Sequence, residues 1–444
     1  MAGRYSPLLI TSALVMTLIL QGCAMSVEFY HQVDSHVSTN RFDLAAKVVE
    51  DNQEKYGENN SVLYNLETGL LRHYAGEYDA SNVHFLQSER EMDELYTQSI
   101  STGVGSFVIN DNMLPYEGED FEKVYVNLFL ALNYAGLGRI EDAIVEARKV
   151  DLKLNEYSKQ YDGRNSFRQD AFVRYLMGVL YEAAGELNDA YISYKQAYEG
   201  YRDYDTLYAT GCPSYLKSDL IRAAGGLGFD DDLNEFESLF GMQHAAPTRD
   251  QGTLMLIIYS GKGPVKEELR MRVSIMDKDG TVHTFVAAVP KFRSRQNSVR
   301  SYRVSLRGDG ASGEATAELG ENVSAIAARN LDERIAMIYL KTAGRALLKF
   351  LAAEKAKKEM KKKDDSPLAN FLTSVVVDAA YDASEKADIR VWRALPHDIQ
   401  LARFQLPEGT YTLRISDEFS RQVDSRSVTI KTGTVSVQIV PDVR

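Results

Sequence analysis

Residues 116–154, YEGEDFEKVYVNLFLALNYAGLGRIEDAIVEARKVDLKL, decide how the chain is read. Their spacing predicts two antiparallel helices, 120–136 and 141–154, closed by a turn at Gly136, Leu137 and Gly138. Small residues stand where the helices must touch: Ala131 on the first, Ala143 and Ala147 on the second. Tyr134 fills the space between them. Glu119 and Asp120 suit the start of the first helix, where acids cap exposed amides and meet the positive end of the dipole.

The same order recurs downstream, where Gly178, Tyr181, Gly185, Ala190, Tyr194 and Ala197 fall at the spacings of Ala131, Tyr134, Gly138, Ala143, Ala147 and Val150. A weaker copy upstream keeps Gly69, Gly76 and Phe85, while Arg72 and Ser81 depart from it. These units resemble the tetratricopeptide (TPR) pattern of about 34 residues, in which a small residue lets two helices approach closely. The turn glycines Gly76, Gly138 and Gly185 are 62 and 47 residues apart, so the surplus falls in 98–119 and 157–169. Both stretches are rich in Gly, Ser, Asn and Asp and read as surface loops. A first helix is expected at 41–56, with Phe42, Ala45, Ala46 and Val49 on one face, and a closing hairpin at 213–224 and 230–240. TPR grooves bind partners through first-helix side chains. The resemblance therefore nominates His73, Tyr74, Tyr125, Phe172, Tyr175 and Glu182 as a partner-binding groove.

The pattern changes at Gly252. Short β-branched and apolar runs (253–260, 270–276, 282–289, 301–306) are separated by Asp-Gly pairs at 279–280 and 309–310. Helical sequence interrupts at 323–386, and strands resume at 389–392, 397–405, 411–415, 427–431 and 435–440. The fold expected is a TPR-like α-helical repeat array at 41–245, followed by an antiparallel β-sandwich at 252–444 with a helical insertion at 323–386.

Residues 1–22 carry Arg4 and a 13-residue apolar run from Leu8 to Leu20, the length of a signal-peptide core and short of the about 20 residues that span a bilayer. The following Leu-Gln-Gly-Cys (20–23) resembles the lipobox of bacterial lipoproteins, in which the cysteine is acylated and becomes the new N-terminus. Cys23 is the lipid-attachment residue that this implies, with 1–22 as the signal peptide and 23–40 as a polar tether. Ala24 after the anchor, rather than aspartate, favours the outer membrane of a Gram-negative cell, facing the periplasm. Cys212 is then the one remaining thiol and no intramolecular disulfide can form.

The chain carries −12, and loss of Arg4 with the signal leaves 50 bases against 63 acids. No basic face dominates, which argues against nucleic acid as a partner. Gly261-Lys262-Gly263-Pro264 follows a strand, but Pro264 removes an amide that a phosphate loop would use and no Ser or Thr follows Lys262, so no nucleotide is expected. Neither a His-Glu-x-x-His pair nor a Gly-x-Ser-x-Gly elbow occurs, so neither enzyme, metal nor cofactor is expected beyond the lipid on Cys23. Lys355 to Lys363 holds six lysines and reads as a solvated helix end.

Five segments are similar to a family of bacterial lipoproteins with N-terminal TPR-like repeats and a C-terminal β-rich domain: YEGEDFE (116–122), ALNY (131–134), VEAR (145–148), GKGPVKEE (261–268) and ADIRVWRALP (387–396). The resemblance spans nearly the whole mature chain and implies an architecture without a transferable activity. The expectation is a non-enzymatic, outer-membrane-anchored adaptor in a cell-envelope assembly. The alternative is a glycan- or peptidoglycan-binding module, in which exposed aromatics on a sheet face would carry the sugar.

Overall fold

The computed structural model describes residues 27–102, 111–160, 170–244, 250–276, 282–308, 310–361 and 386–444. Helices fill the N-terminal half: α1 Val27–Ser38, α2 Phe42–Glu50, α3 Ser61–Tyr74, α4 Tyr78–Thr102, α5 Asp120–Gly136, α6 Ile140–Gln160, α7 Ala171–Ala183, α8 Leu187–Tyr208, α9 Ser214–Leu227 and α10 Asp230–Phe240. The signal peptide and Cys23 lie outside the described residues. Residues 27–38, expected within a polar tether, instead form α1. Phe29, Val33 and Val37 recur every four residues and pack on the core, which a polar count of the segment hides.

Helices α3 to α10 pair as four successive hairpins whose turns are alike. In each, the amide just after the turn glycine reaches back five residues: Glu77 to Arg72, Arg139 to Tyr134, Glu186 to Tyr181 and Phe229 to Ala224. Such a turn needs a left-handed residue, and Gly76, Gly138, Gly185 and Gly228 supply it at φ +75°, +73°, +80° and +70°. Close approach of the paired helices is set by small residues facing rings. A Cβ on Gly69 would stand 2.8 Å from Phe85, and one on Gly178 2.5 Å from Tyr194. Gly178→Ala improves helix propensity by about 1 kcal/mol, but forcing a methyl against Tyr194 costs about 1–3 kcal/mol. A net loss is expected, read as a lower denaturant midpoint at unchanged slope; a stabilised variant would show that the ring is free to move.

The C-terminal half is mainly antiparallel sheet. Its elements are β1 Gln251–Lys262, β2 Val265–Met276, β3 Val282–Arg293, β4 Tyr302–Arg307, β5 Ser312–Thr316, β6 Glu318–Glu321, helix α11 Val323–Lys361, β7 Pro396–Pro407, β8 Gly409–Asp417, β9 Gln422–Ile430 and β10 Val435–Asp442. One sheet has the order β10-β1-β7-β6, a second β5-β4-β8-β9, and β2 and β3 form a separate hairpin. All pairs are antiparallel except β1 with β10, which run parallel because the chain returns from β9 in the other sheet. Helix α11 lies where helix was expected; 362–385, including the end of the lysine run, falls outside the described residues.

Strand β1 explains how the layers stack. Its side chains alternate between two cores: Leu254, Leu256 and Ile258 meet β4, β7, β8 and β9, while Met255, Ile257 and Tyr259 meet the helices. Both faces are covered, which is why the run reads as continuously apolar. Helices, first sheet and second sheet are therefore three layers in that order.

Candidate functional site

The inner face of the helical array, where the six groove candidates lie, is not open. Histidine 73 is buried. Its Nδ1 is 2.6 Å from Asn133 Oδ1 and its Nε2 3.0 Å from the Tyr259 hydroxyl of β1. The Asn133 amide already donates to Ser81 and Asn82, so its oxygen accepts; Nδ1 of His73 therefore carries the proton and Nε2 accepts from Tyr259. Burial pushes His73 down to about 4, keeping the imidazole neutral.

The other five are similarly engaged. Tyr74 donates to the Ala394 carbonyl at 3.0 Å, Tyr125 to Glu321 at 2.8 Å and Tyr175 to Asp219 at 2.8 Å. Phe172 lies against Gly320, where a Cβ would come within 2.9 Å of its ring. Glu182 accepts from Arg403 of β7 at 3.2 Å. The expected partner groove is thus filled by the chain itself. A second chain cannot reach these residues without displacing the first sheet.

What occupies the middle of this face is an extended segment, 386–396, held as a bound peptide is held. Glu122 accepts the Trp392 amide at 3.1 Å, and Glu67 accepts the amides of Arg393 and Ala394 at 2.6 and 3.1 Å. The Trp392 ring meets Phe85 at 5.8 Å and Phe129 at 5.6 Å between centroids, both edge-on. Arg390 donates to the Leu114 carbonyl at 2.8 Å and lies over the Tyr116 ring. Glu122 is fixed in turn by the Tyr116 hydroxyl at 2.6 Å and by closing a capping box with Glu119. Burial raises Glu67 to about 7 despite its two amide donors.

Two ionic clusters join the halves. Arg403 and Arg222 share Glu182 and Asp219. Arg403 lies 3.2 Å from Glu182 and 3.1 Å from Asp219, and Arg222 lies 2.6 and 3.0 Å from them. Burial alone would raise Glu182, but Arg403 and Arg222 hold it down to about 2. Glu119 pairs with Lys266 at 2.6 Å and with Arg334; against its burial these cations draw it down to about 2.

A third pair, Asp170 and Glu321, is two carboxyls, and Arg174 nearby only partly offsets the burial of Asp170. Asp170 caps α7 by accepting the Val173 amide at 2.8 Å. Burial raises Asp170 to about 7, and burial followed by Asp170 raises Glu321 of β6 well above its ordinary 4.5. An acid whose pKa is raised on folding takes up protons in the native state, so its contribution to stability declines as pH climbs above the unfolded value. Glu321→Gln keeps an acceptor for Tyr125 and removes the charge. Its stability relative to wild type is expected to grow steadily from pH 5 to 8 in parallel urea melts. A pH-independent difference would mean that folding does not raise the pKa of Glu321.

Sequence reasoning did not single out Glu67, Glu122, Asp170, Asp219, Glu321 or Arg403 as functional. The one local signal was a charge on an apolar face, as at Glu67 between Leu63, Leu66, Leu70 and Leu71. Cys212 is half-buried beside α9, and burial pushes its thiol up to about 12, which suits packing rather than nucleophilic chemistry. Among the described residues no cluster of three His, Cys, Asp or Glu could hold a metal ion, and no helix is long and apolar enough to cross a membrane.

In comparisons with known proteins, no family model and no curated protein matches the chain. The likeness to lipoproteins rests on the segments quoted above.

Proposed function

We propose that the protein is a lipoprotein anchored through Cys23 in the outer membrane and facing the periplasm, where it serves as a non-enzymatic adaptor in a cell-envelope assembly. On this reading α3 to α10 are TPR-like repeats and the two four-stranded sheets are a β-sandwich with α11 as its insertion. The recurring glycine turns and the small-against-aromatic helix contacts support the first part, and the apolar core shared by the two sheets supports the second.

One observation carries the adaptor reading. Because the inner face is filled in cis, a partner meets the array from outside, and there the first three hairpins present an equivalent aliphatic residue each, where the fourth has the exposed Glu235. Val83, Val145 and Ile192 occupy the same place relative to their turn glycines and are 67, 50 and 45 % exposed. Packing within the array gives no reason for an apolar β-branched residue at that position in three successive copies; a docking strip does. Exposed aromatics lining a sheet face would favour the glycan-binding alternative; Trp392 is buried, and the exposed Phe419 stands in the turn between β8 and β9.

The test places a photo-crosslinking amino acid at 83, 145 and 192 in cells. The same envelope protein is expected from all three positions, and Val145→Asp should abolish its capture from the other two. Cys23→Ser should release the chain from the outer-membrane fraction. Crosslinks to glycan alone, or to no macromolecule, would overturn the adaptor.

A further inference from the structure

Helix α1 covers a small cavity of about 30 Å³ at the edge of the array, lined by apolar residues including Phe29, Val33, Leu71 and Tyr74. That is room for about one water. At its mouth three cations from three separate segments converge on one acid of α1. Asp34 lies 3.9 Å from Lys262, 3.7 Å from Arg295 and 3.7 Å from Arg393. Every one of these distances exceeds a direct hydrogen bond, so Asp34 neutralises the trio without filling its geometry.

The cations are held in place by other bonds. Arg295 donates to the carbonyls of Gly263 and Arg393 at 2.5 and 2.6 Å, Arg393 stacks on Tyr30 at 3.9 Å, and Lys262 donates to Ser38 at 3.0 Å. The other acid lining the cavity, Glu67, is engaged by the amides of 393 and 394. Three bases against these two acids leave the mouth positive. Burial and then Arg393 bring Arg295 down to about 10, a sign that positive charge is crowded there.

We infer that Lys262, Arg295 and Arg393 form an anion site for the phosphate of a lipid headgroup, with Asp34 of α1 as a displaceable internal occupant. A tetrahedral anion offers oxygens in the directions that a carboxylate leaves unfilled. The choice of a lipid rests on the Cys23 anchor proposed above. Four chain steps from Cys23 to Val27 span at most about 14 Å, so an anchored α1 stays within reach of headgroups. The apolar lining beneath would receive the start of an acyl chain once α1 lifts.

The acylated full-length chain in phosphatidylcholine nanodiscs tests the site. Inorganic phosphate, titrated against chloride at equal ionic strength, is expected to raise the melting temperature of Asp34→Ala in step with the logarithm of its concentration. Binding should be at least about tenfold tighter than in wild type, the ratio that 1.4 kcal/mol of lost competition gives. Arg295→Ala added to Asp34→Ala should abolish the response. Phe29→Ala, which loosens α1 and leaves Asp34 and its three cations in place, should show it too. No phosphate response in either single variant overturns the site. Nanodiscs containing phosphatidylglycerol separate the sources: greater stabilisation of Asp34→Ala than of the double variant supports a lipid. A response to phosphate with none to phosphatidylglycerol overturns the lipid assignment while leaving the anchor, tested by fractionation, untouched.

Discussion

Replacing Arg403 by methionine is expected to destabilise the protein by about 3–5 kcal/mol, because removing one member of a buried ion network strands the charges that remain. Glu182 and Asp219 would keep only Arg222, while Tyr175 and Tyr194 still donate to them at 2.8 and 2.6 Å. The loss should depend on pH in a stated direction. Without Arg403 both carboxyls rise, Glu182 from its depressed value and Asp219 from one that burial already raises, so the variant recovers relative to wild type as pH falls from 8 to 5, where protonation removes the stranded charge. Adding Asp219→Asn should restore part of the loss at pH 8. Urea melts at the two pH values measure both effects. A loss below about 1 kcal/mol, the range of exposed pairs, would show that water reaches Arg403 and that the halves are not closed as described.

Trp392→Ala is expected to cost a similar amount, about 3–5 kcal/mol for a buried tryptophan. The mechanism differs. The ring is the plug that 386–396 sets against the stacked pair Phe85 and Phe129, so its removal opens a cavity between the array and the peptide it holds. The amide bonds to Glu122 and Glu67 remain possible, but they are no longer shielded from water. Limited proteolysis should therefore cut near 386–396 in the variant before the helices unfold. Trp392→Phe, which keeps an edge-on ring, should lose markedly less. Since Trp392 is the sole tryptophan, its fluorescence in the wild type reports docking of this segment directly. Equal melting temperatures for the alanine variant and wild type would mean that the segment is not held by its ring.

These effects bear on where a partner binds. The surface that TPR resemblance offered, from His73 to Glu182, is committed to the chain's own sheet, and altering it should change folding before it changes partnership. The exposed strip at Val83, Val145 and Ile192 should have the opposite signature: on the proposed adaptor reading, polar substitution there is expected to leave internal contacts intact and to alter capture alone.

The sequence by itself determined what short-range periodicity can encode. Glycine at a left-handed turn, a small residue facing a ring and an apolar face every third or fourth residue are all local, so hairpins at Gly76, Gly138 and Gly185 were legible before any coordinates. So were the closing hairpin and most strands after Gly252, but 389–392, expected as a strand, belongs instead to the segment that lies on the helices without joining a sheet. Helix α1 was missed because its apolar face is three residues wide in a polar stretch. Only the tertiary structure decided that the two halves interlock. That depends on strand parity and on pairs far apart in the chain: Arg403 points toward the helices because Ile399 and Leu401 do, and it meets Glu182 across 221 positions. A buried Glu67 or Glu321 has the same letter as a solvated one. Its role follows from the amides, hydroxyls and charges that folding brings around it, and those are set by the long-range packing of sheet against helix.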